Sequence, residues 1–324
     1  MLTYVVRRLL YSLPVLVAAS FLIFTFTVTT ADPLSELREV RNINQNALTL
    51  ITKEKHLDDP VIVRYGYWVR DAVTNKFGTT ILGDRPIWND LKRVIPHTLQ
   101  LVITAEIIAI LLAIAIGVYS ALRQYSPFDY VATSFSFLGL AIPVFWLALI
   151  LQVLFTNIFL KWNVRIFYTA QLSSVDPGHG LHFFVDRIQH LVLPVMVLVT
   201  AQVAVYSRFM RASMLEVINS DYIRTARAKG LAERRTIMKH AFRNALIPLT
   251  TLVGLNLGAL IGGAVITETI FALDGMGLYF INALSDGDPF PLMAWLLVVS
   301  VMIIIGNLLA DIAYGYLDPR IRLE

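Results

Sequence analysis

SRFMRASMLEVINSDYIRTARAKGLAERRTIMKHAFRNALIP, running from Ser207 to Pro248, is a basic stretch held between two long apolar segments. Ser220 or Asp221 is positioned to cap a short helix, and Gly230 to end it in a left-handed conformation. Leu215, Ile218, Tyr222 and Ala226 recur at helical spacing, which predicts one apolar side with Arg224, Arg227 and Lys229 turned mostly away. Beyond Gly230 a second amphipathic run puts Ile237, Met238, Ala241, Phe242 and Ala245 on one side before Pro248 opens the next apolar segment. A loop so patterned is too polar to cross a bilayer and too amphipathic to be a slack connector. It is expected to lie beneath a membrane and be held by another protein.

The rest of the chain fits that placement. Of its 324 residues, 56% are hydrophobic and only 15% charged, the balance of a polytopic membrane protein rather than a soluble domain. There are no cysteines, which excludes disulfides, thiolate metal sites and a cysteine nucleophile. The net charge of +4 points to no nucleic acid, because the basic residues cluster at membrane boundaries. A spanning helix needs about 20 mainly apolar residues. Six segments qualify: Leu9–Thr29, Thr98–Leu122, Tyr130–Leu160, Leu191–Tyr206, Leu246–Phe271 and Leu292–Tyr314. The first follows Arg7 and Arg8, but its apolar core exceeds that of a secretory signal and no small-residue cleavage site precedes Asp32.

Placing the N-terminus in the cytosol puts 14 Lys/Arg and six acidic residues on the inside, against 13 and 14 over nearly twice the length outside. Both termini are therefore expected to be cytosolic. Residues 1–29 hold the N-terminal segment and first span. Residues 30–97 form an extracytoplasmic insert, residues 98–315 a five-helix core that includes the cytosolic loop 207–245, and residues 316–324 a cytosolic tail. Within the insert, Asn42–Glu54 and Val61–Val73 are predicted helices separated by a turn at Leu57-Asp-Asp-Pro60. Lys76-Phe-Gly-Thr-Thr80 reads as a turn or short extended piece, and Ile87–Val94 as an amphipathic lead-in to the second span.

Several motifs distributed along the chain carry a family resemblance. They are Ile95-Pro-His-Thr-Leu-Gln-Leu101, Ile142-Pro-Val-Phe-Trp-Leu-Ala148, Asp221-Tyr-Ile-Arg-Thr-Ala-Arg-Ala-Lys-Gly-Leu231, His240-Ala-Phe-Arg-Asn-Ala-Leu-Ile-Pro248, Gly262-Gly-Ala-Val-Ile-Thr-Glu-Thr269, Gly275-Met-Gly277 and Leu317-Asp-Pro-Arg-Ile-Arg322. Together they resemble the permease subunits of bacterial ABC importers, in the dipeptide/oligopeptide and nickel-related branch. Arg64-Tyr65, Trp68 and Arg85-Pro86 in the insert resemble its first, B-type permease. The general Glu-Ala-Ala-x-x-x-Gly motif of importer permeases aligns on Gly230 with Arg224, Thr225 and Ala226 in the leading positions. The glutamate is thus absent, and Pro248 falls late, both as in the peptide branch.

The resemblance implies an all-α integral membrane protein with six transmembrane helices and the insert between the first two. It implies that Tyr222–Leu231, with Asp221, Ile223, Thr225 and Ala228 in the same motif, is the coupling helix that docks on a cytosolic ATPase. It also implies a second homologous permease, two cytosolic ATPase subunits and an extracytoplasmic peptide-binding protein as partners in the bacterial inner membrane. Nickel chelates, glutathione or oligosaccharides are alternative cargoes of the same family.

The chain's own chemistry is sparse. No Gly-x-x-x-x-Gly-Lys-Ser/Thr occurs and no Lys precedes a Ser or Thr, so a phosphate-cradling P-loop is absent. No cofactor and no catalytic residue is expected in this chain; ATP and Mg would be bound by the partner ATPases. Gly254, Gly258 and Gly262 share a helix face, suited equally to a permease–permease interface and to packing within the subunit. Glu106, Glu268 and Asp311 lie within or at the ends of apolar segments, and Glu106, Asn256 and Glu268 are the pathway candidates. An ion-coupled carrier would use such carboxylates as a relay, but no His or Lys lies deep in the spans to partner them, so hydrogen bonding or pathway lining is expected. A membrane enzyme would need a nucleophile or metal constellation that the spans do not offer. His179 and His182 form His-x-x-His without carboxylates to complete a metal site. Phe145-Trp146, Trp162 and Trp295 read as bilayer or packing aromatics.

Overall fold

A computed structural model describes residues 2–30, 34, 38, 45–74, 76–81 and 83–317. Among them the chain forms α1 (Leu2–Thr30), α2 (Gln45–Glu54), α3 (Val61–Thr74), α4 (Ile87–Leu122), α5 (Pro127–Ala141), α6 (Val144–Trp162), α7 (Leu181–Ile218) and α8 (Asp221–Ala228). A single turn at Glu233–Arg235 and a π-helical turn at Thr236–Ala241 then run into α9 (Phe242–Ile270), followed by α10 (Met276–Ser285) and α11 (Pro289–Leu317). No strand forms among the described residues; Thr79 and Pro86 make one isolated bridge. The tail motif after Leu317 lies outside the described residues, as do Asn42–Asn44 at the start of the predicted insert helix.

Among the described residues, five helices are long and apolar enough to cross a membrane: Val6–Thr30, Ile87–Leu122, Val144–Trp162, Leu181–Ile218 and Pro289–Leu309. The 29-residue α9 covers the further span expected at Leu246–Phe271. Pro14, Pro96, Pro194 and Pro248 all lie inside helices, as membrane helices tolerate when neighbours re-satisfy the freed backbone groups.

Two expected spans need correction. Tyr130–Leu160 is not one helix, because α5 ends at Ala141 and α6 begins at Val144. The break falls at Pro143, whose ring disfavours helical backbone at the preceding residue, and Ile142 is extended at φ −80°, ψ 119°. Leu191–Tyr206 is only the middle of α7, whose 38 residues would span about 57 Å against a hydrocarbon core of about 30 Å. Hydropathy finds the membrane portion of a helix, not its ends. The polar flanks of α7 continue because they have partners: Asp186 accepts from the N–H and Oγ of Ser174 at 3.0 and 2.6 Å, and Arg187 donates twice to Gln100 Oε1 at 3.1 and 3.0 Å.

The long helices α4 and α7 form the spine. Gly117 lets them touch, since a Cβ there would lie 2.7 Å from Met210 Cβ and 2.8 Å from the carbonyl of Ser207. α9 and α11 pack beside them, and Arg8 of α1 pairs with Asp311 of α11 at 2.8 Å. This gives Asp311 a partner that a search for His or Lys could not reveal. We call the end carrying Arg8 and α8 the basic end, and the other the insert end.

The insert follows its predicted pattern of two helices, a turn at residues 55–59 and a turn leading into the bridge at Thr79. It folds back onto the bundle. Tyr65 Oη and Ser20 Oγ share a hydrogen bond of 2.8 Å, and Trp68, Phe24 and Met293 bury one another. Asp288 accepts from the N–H of Ile81 at 2.6 Å and of Phe290 at 3.0 Å, tying the insert to the α10–α11 turn.

Candidate functional site

The motif at residues 221–231 forms a small platform at the basic end. α8 is exposed on nearly every side, with Ile223 its one buried side chain at 1%. The Ile223 side chain enters a cluster with Ala109, Met210, Met214, Ala241 and Ala245. This corrects the predicted apolar face. Leu215 and Ile218 belong to α7 while Tyr222 and Ala226 belong to α8, and the break at Asn219–Ser220 shifts the phase. Tyr222 is exposed, and its hydroxyl accepts from Asn244 Nδ2 at 2.9 Å. Neither predicted cap acts as one: Ser220 occupies the N-cap position but its Oγ donates back to the Val217 carbonyl at 2.6 Å. Met238, expected on the packed side, is exposed, because the π-helical turn at Thr236–Ala241 adds a residue per turn and rotates it outward.

Gly230 ends α8 as expected, at φ +74°. The N–H of Leu231 donates to the Ala226 carbonyl at 3.3 Å and that of Gly230 to the Arg227 carbonyl at 2.9 Å, the paired bonds of a Schellman motif. Arg227 then reaches across the turn to Glu233, Nη2 to Oε1 at 2.7 Å and Nε to Oε2 at 3.1 Å. That bond holds the Glu233 carboxyl below the usual range. Glu233 was not singled out in the sequence, where an acidic residue in a basic loop carries no address. Asp221, Arg224, Thr225, Ala228 and Lys229 all remain at the exposed surface.

The platform is braced from the α4–α5 turn. Asp129 accepts from Arg211 Nε and Nη2 at 2.7 and 2.8 Å, from the N–H of Tyr125 at 3.0 Å, and from Ser120 Oγ. The Arg211 guanidinium holds the Asp129 carboxyl far below the usual carboxylate range, burial opposing it. A depressed pKa stabilises the fold at any pH above the unfolded value of about 3.9 and is lost only as pH falls below it. Stability from this pair is therefore expected to be flat between pH 5 and 8. Asp129→Asn is expected to cost about 2 kcal/mol and to lower the melting temperature in detergent equally across that range. A pH-dependent difference between the variant and the parent would contradict this.

At the insert end the motifs converge on one carboxylate. Glu268 is 1% exposed. Its Oε1 accepts from Thr98 Oγ1 at 2.6 Å and its Oε2 from the N–H of Gly277 at 2.6 Å, while Thr98 Oγ1 accepts from the N–H of Met276 at 2.7 Å. The two glycines of Gly275-Met-Gly277 are there for proximity. A Cβ on Gly275 would lie 2.4 Å from Glu268 Cδ, and one on Gly277 2.4 Å from Val265 Cα. Neighbouring residues of Ile95–Leu101 add His97 Nδ1 to the Asp274 carbonyl at 2.6 Å and the ion pair of Arg93 with Asp274. In the sequence Thr98 is only one member of the Ile95–Leu101 motif, with nothing local to mark it as a partner of Glu268.

Glu106 and Asn256 meet through Tyr206, which hydropathy marks only as the end of a span. Tyr206 donates to Glu106 Oε1 at 2.9 Å and accepts from Asn256 Nδ2 at 3.3 Å, joining α4, α7 and α9. Gly254 and Gly258 are buried, and a Cβ on Gly258 would lie 3.0 Å from Ile303 Cγ2 of α11 in the same chain; the surroundings of Gly262 lie outside the described residues. His179 and His182 are exposed. Trp295 tilts against Phe280 at 4.4 Å, whereas Phe145, Trp146 and Trp162 are exposed.

Residues 113–323 match the family described as binding-protein-dependent transport system inner membrane component. The chain is 38% identical over 324 residues to the oligopeptide transport system permease protein AppB of Bacillus subtilis (strain 168), covering 99% of this chain and 100% of that one. It is 34% identical over 339 residues to the dipeptide transport system permease protein DppB of Escherichia coli (strain K12), covering 99% of each. Among solved structures, an inward-facing form of the MetNI methionine ABC transporter shares the fold with a TM-score of 0.54 at 14% identity, covering 70% of this chain and 96% of that one.

Proposed function

The chain belongs to the binding-protein-dependent transport system inner membrane component family, and from that premise we propose how it works. It is a permease subunit of an ATP-driven ABC importer for di- or oligopeptides, forming half of the translocation pathway. It crosses the membrane six times with both termini cytosolic, and the insert 30–97 stands on the extracytoplasmic side, where a peptide-binding protein docks. A second homologous permease completes the pathway. Two ATPase subunits bind ATP and Mg and supply the only catalysis.

The observation that carries this reading is α8. An isolated eight-residue helix is unstable in water, and this one keeps almost no side chain inside its own subunit. It is instead fixed at three points: the Ile223 side chain, the Schellman bonds at Gly230 and the Arg227–Glu233 pair. A short helix held rigid and bare is suited to seat in a cleft on another protein. A load on α8 passes through Ile223 to Met210 and Met214 of α7 and Ala245 of α9. Only differential contact in the two states of the importer can drive its switch, and α8 is where the ATPases make that contact. Glu106, Tyr206 and Asn256 form a polar chain across three helices at the inward half of the pathway, whereas Glu268 closes the opposite end.

Copurification and reconstitution test it. In mild detergent the chain should carry with it a second permease and two ATPases. In vesicles, labelled peptide should enter only with ATP and the binding protein present. Uptake by this chain alone, driven by a proton gradient without nucleotide, would sink the proposal.

A further inference from the structure

α3 is amphipathic in an unusual way, because its apolar arc is twice as wide as the chain covers. Val61, Tyr65, Trp68 and Ala72, spaced i, i+4, i+7 and i+11, pack against the bundle. Advancing each by one residue gives Ile62, Gly66, Val69 and Val73, a second stripe turned by about 100°. That stripe is open: Ile62 is 73% and Val73 81% exposed, and a Cβ on Gly66 would meet nothing within 4 Å. Arg64, Tyr67, Arg70 and Asp71 lie on the remaining side.

We propose that α3 lies in the membrane surface, with Ile62, Gly66, Val69 and Val73 in contact with lipid acyl chains of the leaflet at the Thr30 end of α1. Three observations select lipid. First, α3 lies beside the α1 span and not beyond its end. Trp68 packs on Phe24, six residues in from Thr30 or about 9 Å along a helix axis, and Tyr65 extends its hydroxyl further down α1 to Ser20 Oγ at 2.8 Å. Second, α1 here is itself apolar and open on the side away from α3, where Leu22 and Phe26 are 67% and 69% exposed.

Third, the chemistry is aliphatic. A protein interface draws on aromatic side chains, and the stripe has none: Tyr65 and Trp68 of α3 pack onto Phe24, and Tyr67, on the polar side, stacks on His56 at 4.1 Å. The exposed cation Arg70 is turned away from the stripe, its guanidinium pairing with Asp71 at 3.1 Å and lying over the Tyr67 ring at 5.1 Å, so the polar side of α3 stays separate from the aliphatic one. Such a helix, with its apolar face a few ångström into the acyl boundary, is the interfacial type. The insert is then anchored to lipid as well as to the bundle, which would hold the docking surface at a fixed height above the pathway.

The absence of cysteine makes the test direct. Single replacements Val69→Cys, Val73→Cys and Arg70→Cys are introduced into the complete importer, labelled with a small fluorophore and placed in nanodiscs of brominated-acyl phosphatidylcholine. Labels at 69 and 73 should be quenched at least twofold more than the label at 70, and both cysteines should resist a membrane-impermeant maleimide before labelling. Ile62→Cys repeats the reading at the other end of the stripe, and retained peptide uptake certifies each variant. Equal reaction of all positions with the impermeant reagent would overturn the proposal. So would shielding of 69 and 73 without bromine quenching, which would mean that a protein subunit covers them. Neither result would disturb the assignment as a permease, because uptake is scored separately.

Discussion

Gly277→Val should sharply lower the amount of folded subunit in the membrane and, with it, peptide uptake. The reason is where the added atoms go. A Cβ at this position would lie 2.4 Å from Cα and 3.0 Å from N of Val265, which are backbone atoms of α9 and cannot swing aside. α10 must retreat from α9, and retreat lengthens the Gly277 N–H bond to Glu268 Oε2. A buried carboxylate that loses a donor adds its own desolvation penalty to the overpacking, so the two together cost on the order of 4 kcal/mol. Against a typical margin of about 5–15 kcal/mol, that should appear as a much reduced folded yield and a lower melting temperature in detergent.

Graded variants separate a structural Glu268 from a pathway Glu268. Glu268→Gln keeps the acceptor for Thr98 but turns an amide donor toward the N–H of Gly277, so it should melt lower than the parent yet above Glu268→Ala. Uptake should fall in step with folded protein in all of these. If Glu268→Gln left the melting temperature unchanged and still abolished uptake, the carboxylate would be touching cargo and the structural account would be wrong.

The parts of this architecture that could be read in the sequence are those whose cause is local. Helix identity, the turn at Leu57–Pro60 and the left-handed Gly230 each follow from neighbours within four residues. The break at Ile142-Pro143 has a local cause too, but Pro96, Pro194 and Pro248 lie inside unbroken helices. A proline alone therefore does not mark a helix end, and hydropathy alone joined α5 to α6. The Glu268 knot was visible only as a set of matching motifs. Thr98 and Glu268 are 170 positions apart, and no periodicity connects them. α8 failed at an intermediate range. Counting from Leu215 and Ile218 through Asn219–Ser220 carried the helical phase across a junction where it resets, which pointed to Tyr222 in place of Ile223.

Gly230→Val should uncouple uptake from hydrolysis, on the proposed role of α8, and do so through backbone conformation alone. The site is open: nothing lies within 4 Å of an added Cβ, so volume is not the obstacle. The obstacle is φ +74°, a region that costs an L-residue about 1–2 kcal/mol and a β-branched one more. Without the left-handed residue the bonds from Leu231 and Gly230 to Ala226 and Arg227 cannot both form, and Arg227 loses its line to Glu233. The docking-competent shape of α8 then becomes a minor conformer, and apparent affinity for the ATPase falls by its fractional population, roughly 5- to 30-fold for that cost. Uptake in vesicles should drop by at least that factor while ATP hydrolysis continues and insertion and melting temperature stay near the parent. Asn tolerates the left-handed region, so Gly230→Asn should recover most of the uptake although its side chain is as large as that of valine. Volume and conformation predict opposite orders for Ala and Asn: a steric site would favour Gly230→Ala, a conformational one Gly230→Asn. Ala outperforming Asn, or full uptake by Gly230→Val, would show that α8 needs no fixed ending and that force enters the subunit elsewhere.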